Sequence, residues 1–355
     1  MPDPRLTPPK ASTNSDRDHD FEIDDTLIDQ FTKNRISPTI SAVDNETNDD
    51  VDAPLPEKRR SRLLSESLHE KAGNYVLTFG FPGSGKTTFH SFLVRYLMEE
   101  GPFRSEFVTK NDFGEVDYDI NRMVTNWKSE WRSGRFPAPT PVGEEHIREL
   151  RFDVTPLQGV RIPLQFNLLE VSGETLKEVL PTEHRDPVLA RVLFELLSNE
   201  KIKFIIILLL NPAVHDNDDL FVNFLSYMDT NLPFNIRQRA SLGIVVSKPG
   251  EALKTLKDLR QGYSHVAELR GKHTEDFVES FAKSTYRIWY DWPDPKKKMI
   301  SRLYLGEIED IKGQKRLVRP DYQSIEGIFD WMYQQFTGKT LGPTWYQKIA
   351  RLFHS

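Results

Sequence analysis

The sequence predicts a three-layer α/β protein with a mostly parallel sheet, and three observations lead to this fold class. Residues 75–79 form a short apolar run that is followed by a glycine-rich turn and a helix-spaced apolar segment, as in a strand–loop–helix unit. Residues 204–210 are apolar at every position, as in a parallel strand that is buried on both faces. Two strand candidates, 149–154 and 162–171, are close enough in sequence to pair as a hairpin. The expected sheet is therefore parallel except for one antiparallel hairpin strand.

Apolar periodicity and stop signals predict the other elements. The helix after the glycine-rich turn should end near Glu100, where a Gly-Pro pair follows. Residues 252–298 have the composition of charged, solvated helices. Further helices are predicted at 118–131, 186–199, 218–228 and 322–336, and further strands at 242–248 and 302–308.

Composition limits the classes of function. The chain has 355 residues, a formal net charge of −6 and no cysteine. The acidic balance argues against general nucleic-acid binding by the whole chain. The absence of cysteine excludes disulfides, thiolate catalysis and zinc–thiolate sites, and it agrees with the reducing cytoplasm in which we expect the protein. The longest apolar run, 204–210, is far shorter than the roughly 20 residues that a membrane-spanning helix needs.

The turn after the first strand matches the phosphate-binding pattern G-x-x-x-x-G-K-[ST], known as Walker A, at every fixed position. Its glycines allow backbone N–H groups to surround a polyphosphate, and the next helix adds the positive end of its dipole. Lys86 supplies a cation for the β- and γ-phosphates, and Thr87 supplies a hydroxyl ligand for Mg²⁺. We therefore predict a P-loop nucleoside triphosphate site. Its loop residues are Gly80, Pro82, Gly83, Ser84, Gly85, Lys86, Thr87 and Thr88.

A second part of the predicted site follows the strand at 162–171. Glu170 lies near the end of this strand, where a carboxylate can hold Mg²⁺ through water. Gly173 could offer its backbone N–H to a γ-phosphate, a contact that hydrolysis would remove. An ordinary strand-to-loop Glu-x-x-Gly segment is the alternative, which the upstream phosphate loop disfavours.

Together these motifs resemble a TRAFAC-class GTPase of Ras-like organisation: a phosphate loop, a threonine before a strand hairpin, acidic-x-x-Gly and a later Ser-Lys. The segments GRFPAPTP at 134–141 and EVSGE at 170–174 are similar to those of the bacterial double-GTPase and conflict-system branch. The resemblance covers roughly residues 74–338 and implies a G-domain-like fold with long insertions. It also implies a slow, Mg²⁺-dependent GTPase that acts as a molecular switch in a bacterial regulatory or defence system.

The resemblance assigns roles to individual residues. Thr140 is the switch I threonine, which ligates Mg²⁺ and senses the γ-phosphate, and Gly173 is the switch II glycine. Glu170 takes the place where the family usually has aspartate. Glu174 stands where Ras-like proteins carry the glutamine that positions water. The metal ligands implied are thus Thr87, Thr140 and Glu170.

Two arginines precede the switch I threonine. Arg135 or Arg132 is a candidate arginine finger in cis, and an ordinary surface arginine is the alternative. The residues expected to carry hydrolysis are Lys86, Thr140, Gly173, Glu174 and Arg135.

Base recognition is where the sequence departs from the family pattern [NT]-K-x-D. Residues 247–250 are Ser-Lys-Pro-Gly, so Ser247 and Lys248 fit the nucleotide-binding pattern and Gly250 occupies the aspartate position. A site that lacks the bidentate acceptor loses much of its discrimination for guanine. Glu251 is a candidate substitute for the missing hydrogen-bond acceptor. If Glu251 does not serve, the loop 305–307 is expected to recognise the base. GTP is the expected nucleotide, with ATP or no preference as alternatives.

The chain is expected to consist of a disordered segment at 1–70, a GTPase-like domain at 71–338 and a C-terminal amphipathic tail at 339–355. A protein partner is expected at the switch regions or the N-terminal segment. The tail could contact a membrane surface, a partner or its own domain. Two other classes stay open: an ATP-binding phosphotransferase or ATPase, and a catalytically inactive nucleotide-binding interaction module.

Overall fold

A computed structural model describes residues 70–108, 118–138, 148–159, 161–171, 191–233, 235–252 and 271–341. The predicted site residues Thr140, Gly173 and Glu174 lie outside the described residues, as do residues 1–69 and 342–355 of the predicted terminal segments.

Nine strands and eight α-helices are assigned within the described ranges. In chain order they are β1 (Gly73–Phe79), α1 (Lys86–Arg95, extended by a π-helical turn at Tyr96–Glu100), β2 (Phe103–Val108), α2 (Tyr118–Arg132), β3 (Arg148–Pro156), β4 (Leu164–Glu170), α3 (Arg191–Ser198), β5 (Ile202–Leu210), α4 (Asn217–Asn231), α5 (Ile236–Arg239), β6 (Ser241–Val246), α6 (Lys272–Phe281), α7 (Lys283–Tyr290), β7 (Lys298–Arg302), β8 (Gly306–Ile311), β9 (Gln314–Pro320) and α8 (Gln323–Thr337).

Seven strands form one sheet in the order β2-β3-β4-β1-β5-β6-β7. Strands β4, β1, β5, β6 and β7 are parallel to one another. Strand β3 is antiparallel to both of its neighbours, β2 and β4. The predicted hairpin is β3–β4, with Arg148 opposite Glu170. The mostly parallel sheet and its antiparallel hairpin are thus confirmed.

Helices cover both faces of this sheet. Along β5, the even-numbered positions 204–210 pack into one apolar layer with α3, α4, α6 and α7, and the odd-numbered positions 205–209 pack into another with α1, α2 and α8. A strand that is buried on both faces needs apolar residues throughout, which explains why 204–210 is a continuous apolar run. The predicted three-layer arrangement is confirmed.

The last strand of the sheet differs from the prediction of a strand at 302–308. The sheet ends with β7, which begins at Lys298, inside the segment predicted to be helical. The strand that begins at Gly306 belongs to a separate β8–β9 hairpin. Gly306 has a φ of 120°, and a Cβ there would lie 1.9 Å from the Arg319 carbonyl oxygen. The backbone thus turns sharply at this glycine, and one strand cannot run through it.

Among the described residues, no helix is long and apolar enough to cross a membrane.

Candidate functional site

The phosphate loop lies at the carboxyl end of β1, near the middle of the sheet. Strands β4 and β5 flank β1 and run parallel to it, so all three end at the same edge. In open α/β sheets, ligands bind in the crevice at this edge. Because Leu77 pairs with Leu169, Glu170 at the end of β4 lies one strand away from the start of the loop.

Glycines shape the loop in the way that the motif predicts. Gly83 and Gly85 have φ values of 71° and 92°, in the left-handed region that side chains disfavour. At Gly80 the limit is space, since a Cβ would lie 2.7 Å from Ser84 Oγ and 2.9 Å from the Leu209 carbonyl oxygen. Helix α1 begins directly after Gly85, with no acidic residue in its first turn. Such a helix N-terminus favours anions.

Lys86 holds its charge inside the loop. The residue is 8% exposed, and its Nζ donates hydrogen bonds to the carbonyl oxygens of Gly80 at 2.7 Å and Phe81 at 3.0 Å. These carbonyls satisfy the buried ammonium, which would otherwise be costly to desolvate. A phosphate that binds in the loop would therefore meet a cation already in position.

Two buried asparagines support the loop, and the sequence analysis missed both. Asn211 follows β5, donates from Nδ2 to the Gly83 carbonyl oxygen at 3.4 Å, and accepts from the Ala213 N–H at 3.1 Å. Asn217 in turn donates to the Asn211 carbonyl oxygen at 2.8 Å. A polar residue directly after the unbroken apolar run 204–210 was the available signal for Asn211. Its amide links the end of β5 to the loop.

The residues available for Mg²⁺ are oxygen donors, which is the ligand type that this ion prefers. Thr87 is partly buried at the start of α1, and Glu170 ends the neighbouring strand. The donor set therefore fits the ion. In the part of the chain that the structure describes, no group of three or more His, Cys, Asp or Glu residues could hold a metal by itself. A nucleotide-bound Mg²⁺ needs few protein ligands, since phosphates and waters supply the others.

A cavity of about 670 Å³ extends from the loop along the same edge of the sheet. Gly85 and Thr88 of the phosphate loop and α1 line part of it. The segments 247–251 and 303–306, which follow β6 and β7, line the rest together with Phe136, residues 308–310 and Lys315. Strands are spaced about 4.8 Å apart, so the ends of β6 and β7 lie roughly 10 and 14 Å from that of β1. The cavity volume is typical of a small-molecule site. Its length suits a nucleotide with its phosphates at the loop.

The segment after β6 brings the predicted Ser247 and Lys248 to the cavity. The N–H and Oγ of Ser247 both donate to the Leu210 carbonyl oxygen, at 2.9 and 3.2 Å. Lys248 has a φ of 52°, which is unusual for a residue with a side chain. At Gly250, by contrast, a Cβ would meet no atom of the described residues within 4 Å, and φ is outside the left-handed region. Neither lack of space nor backbone conformation therefore explains why position 250 is not an aspartate.

Of the two candidate arginine fingers, Arg132 is the last residue of α2 and Arg135 lies three residues beyond it. Arg135 donates from Nε to Glu130 Oε2 at 2.7 Å, and Arg132 donates from Nη2 to Glu99 Oε1 at 2.7 Å. Exposed ion pairs of this kind contribute about 0–1 kcal/mol, so they hold the side chains only weakly. The role of Arg135 in catalysis stays a prediction.

Comparisons with known proteins add little to this geometry. No protein-family model matches the sequence, and no curated protein matches it. One similar solved structure is the signal recognition particle receptor SRb-GTP/SRX complex from Chaetomium thermophilum, at 15% identity and a TM-score of 0.25, covering 68% of this chain and 94% of that chain. A likeness of this size identifies no function. The strand order and the loop before α1 are those of a three-layer P-loop NTPase fold of G-domain-like organisation.

Proposed function

We propose that this chain is a Mg²⁺-dependent GTPase that hydrolyses GTP slowly and acts as a molecular switch. The observation that carries the proposal is the continuity between the loop that holds Lys86 and the cavity of about 670 Å³ beside it. A phosphate site alone would suit any anion. A phosphate site that opens into a nucleoside-sized cavity supports a nucleotide as the ligand.

Phosphoryl transfer depends mainly on positioning and on neutralising charge. The ammonium of Lys86 and the N-terminus of α1 bind and orient the β- and γ-phosphates. Thr87, Thr140 and Glu170 would hold Mg²⁺, which when bound neutralises charge that develops on the phosphates. Glu174 is the residue proposed to orient the attacking water.

The switch would operate through two loops. Thr140 and Gly173 are proposed to contact the γ-phosphate, so that both segments become ordered with GTP and are released with GDP. A protein partner that reads this change, and a place in a bacterial regulatory or defence system, belong to the same proposal. The compartment proposed is the cytoplasm, and a peripheral membrane contact through the C-terminal tail is an additional proposal.

Calorimetric titration of the full chain with GTP and with ATP, in the presence of Mg²⁺, tests the proposal. Each hydrogen bond to a charged group contributes about 1.5–3 kcal/mol, so Lys86→Ala should weaken triphosphate binding by roughly tenfold to a hundredfold or more. Lys203→Ala is a matched control, because Lys203 is exposed at the opposite end of the sheet, where it pairs with Asn74. The control should bind as wild type does.

The results separate the proposal from its rivals. GTP binding that depends on Lys86, together with slow release of phosphate, supports a GTPase. Binding without turnover would favour the inactive interaction module, and a preference for ATP would favour the ATPase class. Wild-type affinity in a folded Lys86→Ala protein would contradict the site itself.

A further inference from the structure

The β8–β9 hairpin, Gly306–Ile311 and Gln314–Pro320, is separate from the main sheet. It follows the loop after β7 and precedes α8 in the chain. Ile308, Glu309, Asp310 and Lys315 line the cavity. The hairpin is therefore a wall of the proposed nucleoside site.

Packing fixes the position of this wall. The N–H of Leu317 donates to the Gly134 carbonyl oxygen at 2.8 Å, and Leu317 is 6% exposed within the apolar layer of α1, α2 and α8. A Cβ at Gly134 would lie 2.9 Å from the Leu317 carbonyl oxygen, so only glycine allows this close approach. Because Phe136, two residues on, also lines the cavity, the hairpin and the segment 134–136 form one connected wall.

Strand register shows which hairpin side chains share a face. Asp310 is opposite Lys315, and Ile308 is opposite Leu317. Side chains alternate along a strand, so Ile308, Asp310 and Lys315 lie on the same face as the buried Leu317. Glu309, which is opposite Arg316, belongs to the other face. Glu309 also lines the cavity, and Asp310 is the acidic residue on the face that the hairpin shares with Leu317.

We infer that Asp310 reads the base of the bound nucleotide, in place of the aspartate that is absent at Gly250; this rests on the proposed function. Guanine presents a ring N–H and an amino group side by side, and one carboxylate can accept hydrogen bonds from both. Adenine offers one amino donor beside an unprotonated ring nitrogen, which would face the carboxylate without a hydrogen bond. Lys315, opposite Asp310, can donate to the guanine carbonyl oxygen. Asp310 is thus a specificity-determining residue for guanine.

The test is competition binding of GTP, ATP and xanthosine triphosphate to the full chain with Mg²⁺. Asp310→Asn preserves size and removes the charge from an exposed side chain, so the fold should be retained. Loss of the carboxylate should reduce the preference for GTP over ATP by about tenfold or more. Xanthosine triphosphate should bind better to the variant than to wild type, because the amide N–H can donate to the second carbonyl oxygen of xanthine.

Two further variants make the result specific. Glu307→Gln is the matched control, since Glu307 is on the same strand but does not line the cavity, and it should leave the preference unchanged. Glu251→Gln tests the rival carboxylate in the loop after β6. Base preference that is unchanged in Asp310→Asn, or that falls only in Glu251→Gln, would overturn the inference while leaving Lys86-dependent triphosphate binding intact. A wild-type chain that binds no triphosphate, or that shows no guanine preference, would overturn it as well, and the first of these outcomes would also remove the proposed function.

Discussion

The two ends of the cavity differ in how the chain builds them. The phosphate end is one continuous segment, 80–88, with Lys86 only 8% exposed and glycine required by φ or by space. The nucleoside end combines residues that are far apart in sequence: Phe136, 247–251, 303–306, 308–310 and 315. Most of its charged groups are exposed, namely Lys248, Glu309, Asp310 and Lys315, and Glu251 is half-buried. One end depends on local backbone geometry, and the other depends on how distant loops meet.

This difference affects how each end responds to change. A side chain would lack space at Gly80 and would strain the backbone at Gly83 and Gly85, so a single methyl group in the loop is expected to move the backbone. The nucleoside end has room at positions such as Gly250, where a methyl group should change little and a carboxylate should alter which base binds while leaving the fold intact.

Between the two ends, the larger expected effect is that of Gly80→Ala at the phosphate end. The added Cβ would lie 2.7 Å from Ser84 Oγ and 2.9 Å from the Leu209 carbonyl oxygen, so the loop must shift. Overpacking typically costs about 1–3 kcal/mol, and we expect triphosphate affinity to fall by roughly tenfold to a hundredfold. Calorimetric titration measures this. Gly250→Ala is the matched control at the other end, with less than a twofold change expected. Equal effects of the two variants would contradict the contrast between the ends.

A smaller effect, on specificity and not on overall affinity, is expected from Gly250→Asp. The position has ordinary φ and space, so an aspartate can enter without strain. A second carboxylate near the base should raise the preference for GTP over ATP by about tenfold, the low end for a charged hydrogen bond. Competition binding of the two nucleotides measures the ratio. A Gly250→Asp protein with the wild-type ratio would mean that this segment does not face the base.

The phosphate end could be predicted from the sequence because its determinants are local. Strand β1, the loop and α1 follow from one continuous motif, and the β3–β4 hairpin follows from two strand patterns that are close in sequence. Burial of β5 on both faces is also visible as an unbroken apolar run.

The nucleoside end could not be predicted in the same way. The β8–β9 hairpin turns through Lys312 and Gly313, which both have positive φ, and such turns are usually recognised by Asn-Gly or Asp-Gly. Lysine at the first position removes that signal, so the strand predicted at 302–308 joins the end of β7 to the first residues of β8.

Elements elsewhere in the fold were missed for other reasons. Asn211 was missed because its contact with Gly83 exists only once β5 lies beside β1. Strand β2 was missed because three consecutive polar residues, 104–106, interrupt the alternation that predicts a strand.

The central claim is that one nucleotide spans both ends of the cavity and that its γ-phosphate orders the switch segments. Amide hydrogen exchange tests it most directly, in the full chain with Mg²⁺ and either a non-hydrolysable GTP analogue or GDP. We expect protection of 80–88, 247–251 and 303–310 with both nucleotides, and protection of the segments around Thr140 and Gly173 with the triphosphate alone. Protection confined to 80–88 would contradict a nucleotide that reaches the nucleoside end, and equal protection around Thr140 and Gly173 in both states would contradict the switch.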